Sequence, residues 1–547
     1  LKLRDYQQTA VDSSIAELKA TNSTLLVMAT GLGKTVVFAD IVRRIVQSGR
    51  GDRVLVLAHR EELIYQASAS ISRIAGCEAQ IEMGDLRSTE TIWSRSPVVV
   101  SSIQTQVAGR GNQRRMHKFD PTQFSLIIVD EAHHATSDSY RAVLDYYRNG
   151  NPNIKILGVT ATPDRSDGTA LGSIFGSVSC DYGIRKGIED GWLVGIHQRM
   201  VSVGSLDLSS CKTSSGDLNI NDLDRIVQYE EVLHGMVYPT IQIVGDRRCV
   251  IFASSVAHSK RIAEIINRHK NSSAVCVDAN TPRETRKDIF RAFASGNHQF
   301  LVNVGIITEG WDDPASDGKG VQCIAVMRPT KSRSLYSQMI GRGTRTLPST
   351  IKDTDTTATD RVLSIKNSPK PFLEVIDFCG NAGKHKLIHC VDALTEGKSP
   401  SESHARAKRI IAENGEAQDV LAVMTEAERI VLAESEALAR KSLILKASYS
   451  SQTVDPFGMD DIAPNRSVGW GRGKPASDKQ LNFLRRLKIE HAVNITAGEA
   501  GRLIGIGTST PSAKQMAMLR SRGINPSGLD RRSASEAIDR AMKGWTR

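Results

Sequence analysis

Residues 29–35 read Ala-Thr-Gly-Leu-Gly-Lys-Thr, between an apolar run at 25–28 and a helical pattern that opens near Thr35. Gly31 and Gly33 allow the backbone N–H groups from Thr30 through Leu32 and Gly33 to close around phosphate oxygens, and the helix N-terminus adds its positive dipole end. Lys34 is placed to reach the β and γ phosphates, and Thr35 offers a hydroxyl to Mg²⁺. Met28 stands where the strict pattern has its first glycine, so the loop alone reads as a nucleotide cradle or as an ordinary glycine turn between strand and helix. A second chemical unit follows an apolar strand at 126–129: Asp130-Glu131-Ala132-His133. A carboxylate at the C-terminal edge of a parallel strand sits beside a phosphate loop, where Asp130 can hold Mg²⁺ and Glu131 can orient and deprotonate a water. Thr160 and Thr162 end the next strand with hydroxyls that can couple nucleotide state to neighbouring loops. Farther on, the run from Gln338 to Arg345 carries Arg342 and Arg345, three residues apart. On a helix that spacing puts both on one face, and an arginine from a facing lobe can stabilise charge on a transferring γ-phosphate.

Short apolar runs at 24–28, 53–58, 98–101, 126–129 and 154–160 alternate with helical stretches. This is the pattern of buried parallel strands in an α/β lobe spanning 1–186. A second series at 249–253, 274–277, 300–304, 321–327 and 372–376 predicts a second such lobe over 248–398. Between them, 187–247 reads as a loosely structured bridge with a helix near 220–243, and 348–371 as a surface insertion. Residues 399–447 read as helical and 448–475 as a linker, by its prolines and a Gly-Arg-Gly step. Residues 476–547 hold an internal repeat: Ser477-Asp478-Lys479-Gln480-Leu481 recurs 35 residues on as Ser512-Ala513-Lys514-Gln515-Met516. Two small helical hairpins packed together are expected. The fold class is α/β, two parallel-sheet lobes followed by a helical extension.

With 547 residues, two to four domains are expected. No run approaches the about 20 apolar residues of a membrane span, and no basic-then-apolar leader is present. The eight cysteines form no Cys-x-x-Cys pair, which points to free thiols in a reducing compartment. Cys379, His385, His389 and Cys390 are zinc-type ligands close in sequence, but adjacent His389 and Cys390 point apart on a strand or helix, which argues against a metal centre. The net charge of +11 is concentrated at the end: from 466 onward sixteen Lys and Arg face six Asp and Glu. Such a tail suits a polyanion, most plainly nucleic acid, or a docking role.

In order and spacing these motifs resemble the superfamily-two helicases and translocases of the DEAH-box kind, over roughly residues 1 to 395. The resemblance implies two RecA-like lobes that use ATP and Mg²⁺. It implies that Gln7 recognises the adenine edge with Arg4 and Tyr6 packed nearby, and that Gly310 and Asp312 face the nucleotide with Gln338, Arg342 and Arg345. It further implies that His59, Arg60, Ser102, Gln104 and Thr105 in the first lobe, and Ser254, Thr308 and Glu309 in the second, meet nucleic acid. Residues 162–168, the Asp190-Gly191-Trp192-Leu193 step and 377–381 are similar to the bacterial and phage branch that includes RadD and UvsW-like proteins. The expected activity is that of an ATP-dependent DNA helicase in replication, recombination or repair, in the cytoplasm of a bacterial or phage-infected cell. A double-strand translocase of a restriction-type system, an RNA helicase and an ATP-gated DNA-binding scaffold remain the alternatives.

Overall fold

The computed structural model describes residues 2–48, 52–88, 96–162, 171–214, 216–307, 311, 315–316, 318–352, 356–383, 385–395, 401–445, 475–486, 494–498, 500–501, 503–504, 513–521, 534 and 538. The first lobe is built from β1 (Ser23–Met28), β2 (Arg53–Ala58), β3 (Ala79–Glu82), β4 (Val98–Ser102), β5 (Phe124–Asp130), β6 (Lys155–Thr160) and β7 (Ser177–Tyr182). They pair in parallel in the order β3-β4-β2-β5-β6-β1-β7. Helices α1 (Asp5–Ala20), α2 (Lys34–Val46), α3 (Glu61–Ala75), α4 (Ile103–Val107), α5 (Asp138–Gly150) and α6 (Ile184–Glu189) connect or flank them. The central strands are buried on both faces, Val54 to Ala58 completely, because helices cover each side of the sheet.

The second sheet has the order β12-β13-β11-β14-β15-β8-β16. Its strands are β8 (Gly195–Asp207), β11 (Cys249–Phe252), β12 (Ala274–Val277), β13 (Phe300–Asn303), β14 (Cys323–Val326) and β15 (Phe372–Asn381), all parallel, with β16 (Gln418–Asp419) antiparallel at the edge. A small hairpin, β9 (Thr213–Ser214) and β10 (Asp217–Leu218), stands apart. The helices are α7 (Ile220–Val227), α8 (Glu230–Val244), α9 (Val256–His269), α10 (Arg283–Ala294), α11 (Arg333–Gly341), α12 (Ala358–Lys366), α13 (Cys390–Thr395), α14 (Ser401–Glu413) and α15 (Val420–Leu445).

Three segments differ from their sequence reading. The stretch read as a loose bridge contains β8, thirteen residues long and paired with β15. Its burial alternates, and its Gly, Ser, His and Gln residues hide it from a search for continuous apolar runs. Edge strands β3 and β7 carry polar residues for the same reason. The insertion at 348–371 contains α12, closed at its start by a reciprocal Thr357 and Asp360 capping box, and Arg361 and Lys370 are buried. Finally, α11 ends at Gly341 with Arg342 as its C-cap, so Arg345 lies beyond the helix and the two arginines do not share a helical face.

The helical segment after the second lobe packs Ala407, Ile411, Val420, Met424 and Ala427 into the core and is also held by a buried carboxylate. Asp392 on α13 meets His404 Nε2 at 2.8 Å and Lys408 Nζ at 2.7 Å, both on α14, and accepts the His389 N–H at 2.8 Å. Burial alone would raise this carboxyl, but the bonds from His404 and Lys408 outweigh it and hold it down to about 2. Its folded value lies below the unfolded one, so its stabilisation is present above about pH 4 and is lost as pH falls toward 2. Asp392→Asn is therefore expected to lower stability at pH 7 by about 2 kcal/mol. In urea unfolding, the gap from the parent protein should close as pH approaches 2.

In the basic tail, residues Asp478–Arg486 and Ala513–Arg520 are helical. Ser477 and Gln480 form a reciprocal cap, and Gln480 Nε2 donates to the Ala497 carbonyl at 3.0 Å. The repeat-related Leu484 and Leu519 are both fully buried, each in its own small cluster, so the two copies carry separate cores among the described residues. The linker residues 448–474 lie outside the described residues.

Candidate active site

The phosphate loop joins β1 to α2. Gly31 has φ +90° and Gly33 φ +86°, a left-handed backbone that turns the chain within one step into the helix N-terminus. Gln7 and Tyr6 brace the loop from α1: the Gln7 amide donates to the Leu32 carbonyl at 3.0 Å, and the Tyr6 hydroxyl donates to the same oxygen at 2.8 Å. Arg4 donates its backbone N–H to Gln7 Oε1 at 3.1 Å. In this structure Gln7, expected to recognise the base, and Tyr6, expected to pack nearby, both bond the loop's backbone at Leu32, and Arg4 holds Gln7.

At the end of β5, Glu131 takes a left-handed conformation at φ 47°. That is a strained position for a non-glycine residue, the kind that clusters at functional sites. Its N–H donates to Asp130 Oδ1 at 2.9 Å. The carboxylate lies between Lys34 Nζ at 3.5 Å and His133 Nδ1 at 3.4 Å. His133 Nδ1 is also 3.2 Å from Thr160 Oγ1, which donates to the Thr162 carbonyl at 2.9 Å. Thr162 Oγ1 in turn donates to Ser334 Oγ of the second lobe at 2.7 Å. A series of contacts thus runs from Glu131 to α11, an ion-pair contact to His133 and hydrogen bonds from His133 onward. Thr35 hydroxyl and Asp130 carboxylate are hard oxygen donors of the type Mg²⁺ selects, so the residues present suit that ion.

The second lobe closes the site. Gly341 lies so near the loop that an added Cβ would come within 2.9 Å of Thr30 Cβ. Arg342 Nη1 donates to the Trp311 carbonyl at 2.7 Å, and the Arg345 side chain passes against Gly31 and Leu193. Burial pulls the Arg345 guanidinium down to about 10, which leaves it charged at neutral pH. Gln338 is buried on α11. A cavity of about 480 Å³ remains between the lobes, lined by Gly31, Gly33 and Thr35, by Arg342, Arg345 and Trp311, and by α3. The α3 contribution, Gln66, Ser70 and Arg73, was not singled out from the sequence. Its spacing of four and three residues along one helix face is the signal that marks it.

The nucleic-acid candidates divide by exposure. Gln104 is exposed and donates to the His59 carbonyl at 3.0 Å, and Arg60 donates to the Gly305 carbonyl across the lobes at 2.7 Å. Ser102 and Thr105 are buried, with Ser102 capping α4 and bonded to Thr105 Oγ1 at 2.7 Å. Ser254 is also buried, its hydroxyl 2.7 Å from Asp224 Oδ1 and 2.9 Å from His258 Nδ1. These three hydroxyls serve the fold's own hydrogen bonds. Thr308, Glu309, Gly310 and Asp312, together with residues 163–168 of the resemblance, lie outside the described residues. The four zinc-type residues take separate partners: Cys379 the Val201 carbonyl, His385 the Cys211 carbonyl, Cys390 the Tyr336 hydroxyl, and His389 Asp377.

Residues 1–165 match the family described as type III restriction enzyme, res subunit, and residues 219–346 match the helicase conserved C-terminal domain. The two matches fall in chain order on the two parallel-sheet lobes. Parts of the chain are similar to IRC3 of Saccharomyces cerevisiae, provisionally named an ATP-dependent helicase, at 33% identity over 63% of this chain and 49% of that protein. They are similar to irc3 of Schizosaccharomyces pombe, provisionally named a mitochondrial helicase, at 27% identity over 74% of this chain and 61% of that protein. The endonuclease subunit of the type I restriction enzyme EcoAI of Escherichia coli matches at 26% identity over 62% of this chain and 44% of its own length. The chain thus spans about half the length of these relatives. Among the described residues no helix is long and apolar enough to cross a membrane.

Proposed function

We propose that this chain is a nucleic-acid-stimulated ATP hydrolase, an ATP-dependent DNA helicase that moves on and unwinds or remodels branched or partly single-stranded DNA in replication, recombination or repair. The observation that carries the reading is the seating of Arg345 of one lobe against Gly31 in the phosphate loop of the other, with Arg342 on the wall of the cavity that Gly31, Gly33 and Thr35 also line. An arginine brought by a facing lobe to a phosphate loop suits a nucleotide whose hydrolysis is linked to how the two lobes sit.

In this mechanism Lys34 leaves Glu131 for the β and γ phosphates as ATP enters, and the loop N–H groups of Thr30 to Gly33 hold the phosphate oxygens. Thr35 and Asp130 would hold Mg²⁺, which supplies charge neutralisation at the phosphates when bound. Glu131 orients the attacking water and takes its proton. Arg342 and Arg345 stabilise the charge that develops on the γ-phosphate. Loss of the γ-phosphate removes their anionic partner, and the lobes separate. If each lobe grips the phosphate backbone in alternation, through His59, Arg60 and Gln104 on one side, the cycle advances the protein along a strand. Backbone contacts carry little sequence information, so the motor reads structure and not base order.

A second reading, a double-strand translocase serving a restriction-type system, is favoured by the family matched over residues 1–165 and by the EcoAI relative. The RadD-like and UvsW-like branch, the bacterial or phage cytoplasm, and a protein partner for the basic repeats belong to the first reading. ATPase rates and strand displacement on forked DNA, blunt duplex DNA and RNA duplex separate the readings. The helicase reading predicts stimulation and displacement on forked DNA. Stimulation by blunt duplex without displacement would replace it with the translocase, and preference for RNA would overturn both.

A further inference from the structure

The step Asp190-Gly191-Trp192-Leu193 has no part in the mechanism above, yet it is the covalent crossing between the lobes. On its first-lobe side, the Trp192 and Leu193 N–H groups both donate to the Gly187 carbonyl at the end of α6, at 2.8 and 3.0 Å. On its second-lobe side, the Val194 N–H donates to the Thr344 carbonyl at 2.8 Å, and Leu193 bridges to Arg345. The chain then enters β8 at Gly195. Two guanidinium groups lie over the Trp192 ring, Arg4 of the first lobe at 4.5 Å and Arg361 of α12 in the second at 4.1 Å. Arg361 also donates to the Asp190 carbonyl at 2.8 Å. Tyr6, which bonds the phosphate loop at Leu32, leans against the same indole at 5.4 Å and stacks on Tyr182 at 4.8 Å.

We propose that Trp192 is a positioning residue for ATP hydrolysis, a wedge that sets the placement of Arg345 at the phosphate loop, and that Arg361 of the α12 insertion clamps it from the second lobe. The indole is held by a cation from each lobe, so a turn of the ring disturbs a contact to both. Its backbone is fixed at one end to the helix that follows the first sheet and at the other to the residue before Arg345. Any change in how the second lobe sits is transmitted through two peptide units to the guanidinium that lies on Gly31. Trp192 and Arg361 do not line the cleft, so their effect falls on the transition state served by Arg345 and not on the capture of ATP.

This proposal rests on the ATPase reading, and the test separates the two. Steady-state ATP hydrolysis is measured at saturating forked DNA for the parent chain, Trp192→Ala, Trp192→Phe, Arg361→Ala and the double variant Trp192→Ala/Arg361→Ala, with thermal unfolding of each followed in parallel. The expected result is a kcat lowered roughly tenfold in Trp192→Ala with KM for ATP within about threefold of the parent. Trp192→Phe should recover most of the loss, since it keeps a flat π face for both guanidinium groups. The double variant should be no worse than Trp192→Ala, because the two residues act as one unit. Unchanged kcat in Trp192→Ala, a phenylalanine variant as slow as the alanine one, or a loss confined to KM would overturn the proposal while leaving the enzyme reading intact. A parent chain that hydrolyses no ATP on any nucleic acid would overturn both.

Discussion

Glu131→Gln is expected to lower nucleic-acid-stimulated ATP turnover by about three orders of magnitude while ATP still binds. Glutamine keeps the size and hydrogen-bonding outline of the side chain but cannot accept the proton of the attacking water. The backbone at this position is left-handed at φ 47°, and the neighbouring Asp130 carboxylate holds the Glu131 N–H at 2.9 Å, so the substitution leaves the turn in place. Affinity should hold or rise, because the carboxylate now 3.5 Å from Lys34 Nζ competes with phosphate for that ammonium and the amide does not. Lys34→Ala separates the roles: it removes the phosphate contact itself, so binding and turnover fall together. Equilibrium binding of a non-hydrolysable ATP analogue, set against single-turnover hydrolysis, measures both. Turnover retained by both variants would remove the site assignment.

The parts of this site legible in the sequence are those whose chemistry is carried by consecutive residues. The loop from Thr30 to Thr35 and the pair Asp130-Glu131 each follow a strand buried on both faces, and such strands announce themselves as unbroken apolar runs. Strands β3, β7 and β8 were hidden because an edge or half-covered strand needs only alternate apolar residues, and theirs are mixed with Ser, Gln, His and Gly. The α3 face at Gln66, Ser70 and Arg73 was hidden for a different reason: a polar helix face reads as solvated until the facing lobe is in place. Gln7 shows the opposite limit. Its residue type and position suggest a contact to the base, and only the coordinates show its amide spent on the Leu32 carbonyl. Serine and threonine hydroxyls were the least legible, since Ser102, Thr105 and Ser254 are small enough to turn inward and cap or bridge the fold.

The asymmetry of the two arginines leads to the second large effect. Arg342, the C-cap of α11, spends Nη1 on the Trp311 carbonyl, whereas Arg345 lies beyond the helix with its stem along Gly31. Arg345 is therefore the one placed closest to the phosphate loop, and Arg345→Ala is expected to lower kcat by about 10³-fold with little change in KM, the signature of charge stabilised only in the transition state. Lysine should not rescue it. A guanidinium at this depth is pulled down only to about 10 and stays charged throughout the neutral range. An ammonium in the same place is more strongly hydrated in water, loses more on burial and starts from a lower ordinary value. Its lowered pKa makes the Arg345→Lys enzyme pH-dependent in a defined direction: the charged form dominates at low pH and is lost as pH rises, so residual kcat should fall from pH 6.5 to 9 while the parent kcat does not follow that fall. A pH–kcat profile of the three proteins at saturating ATP and DNA reads this directly, and a lysine variant with parental rate and flat profile would show that Arg345 acts by packing against the loop and not by its charge.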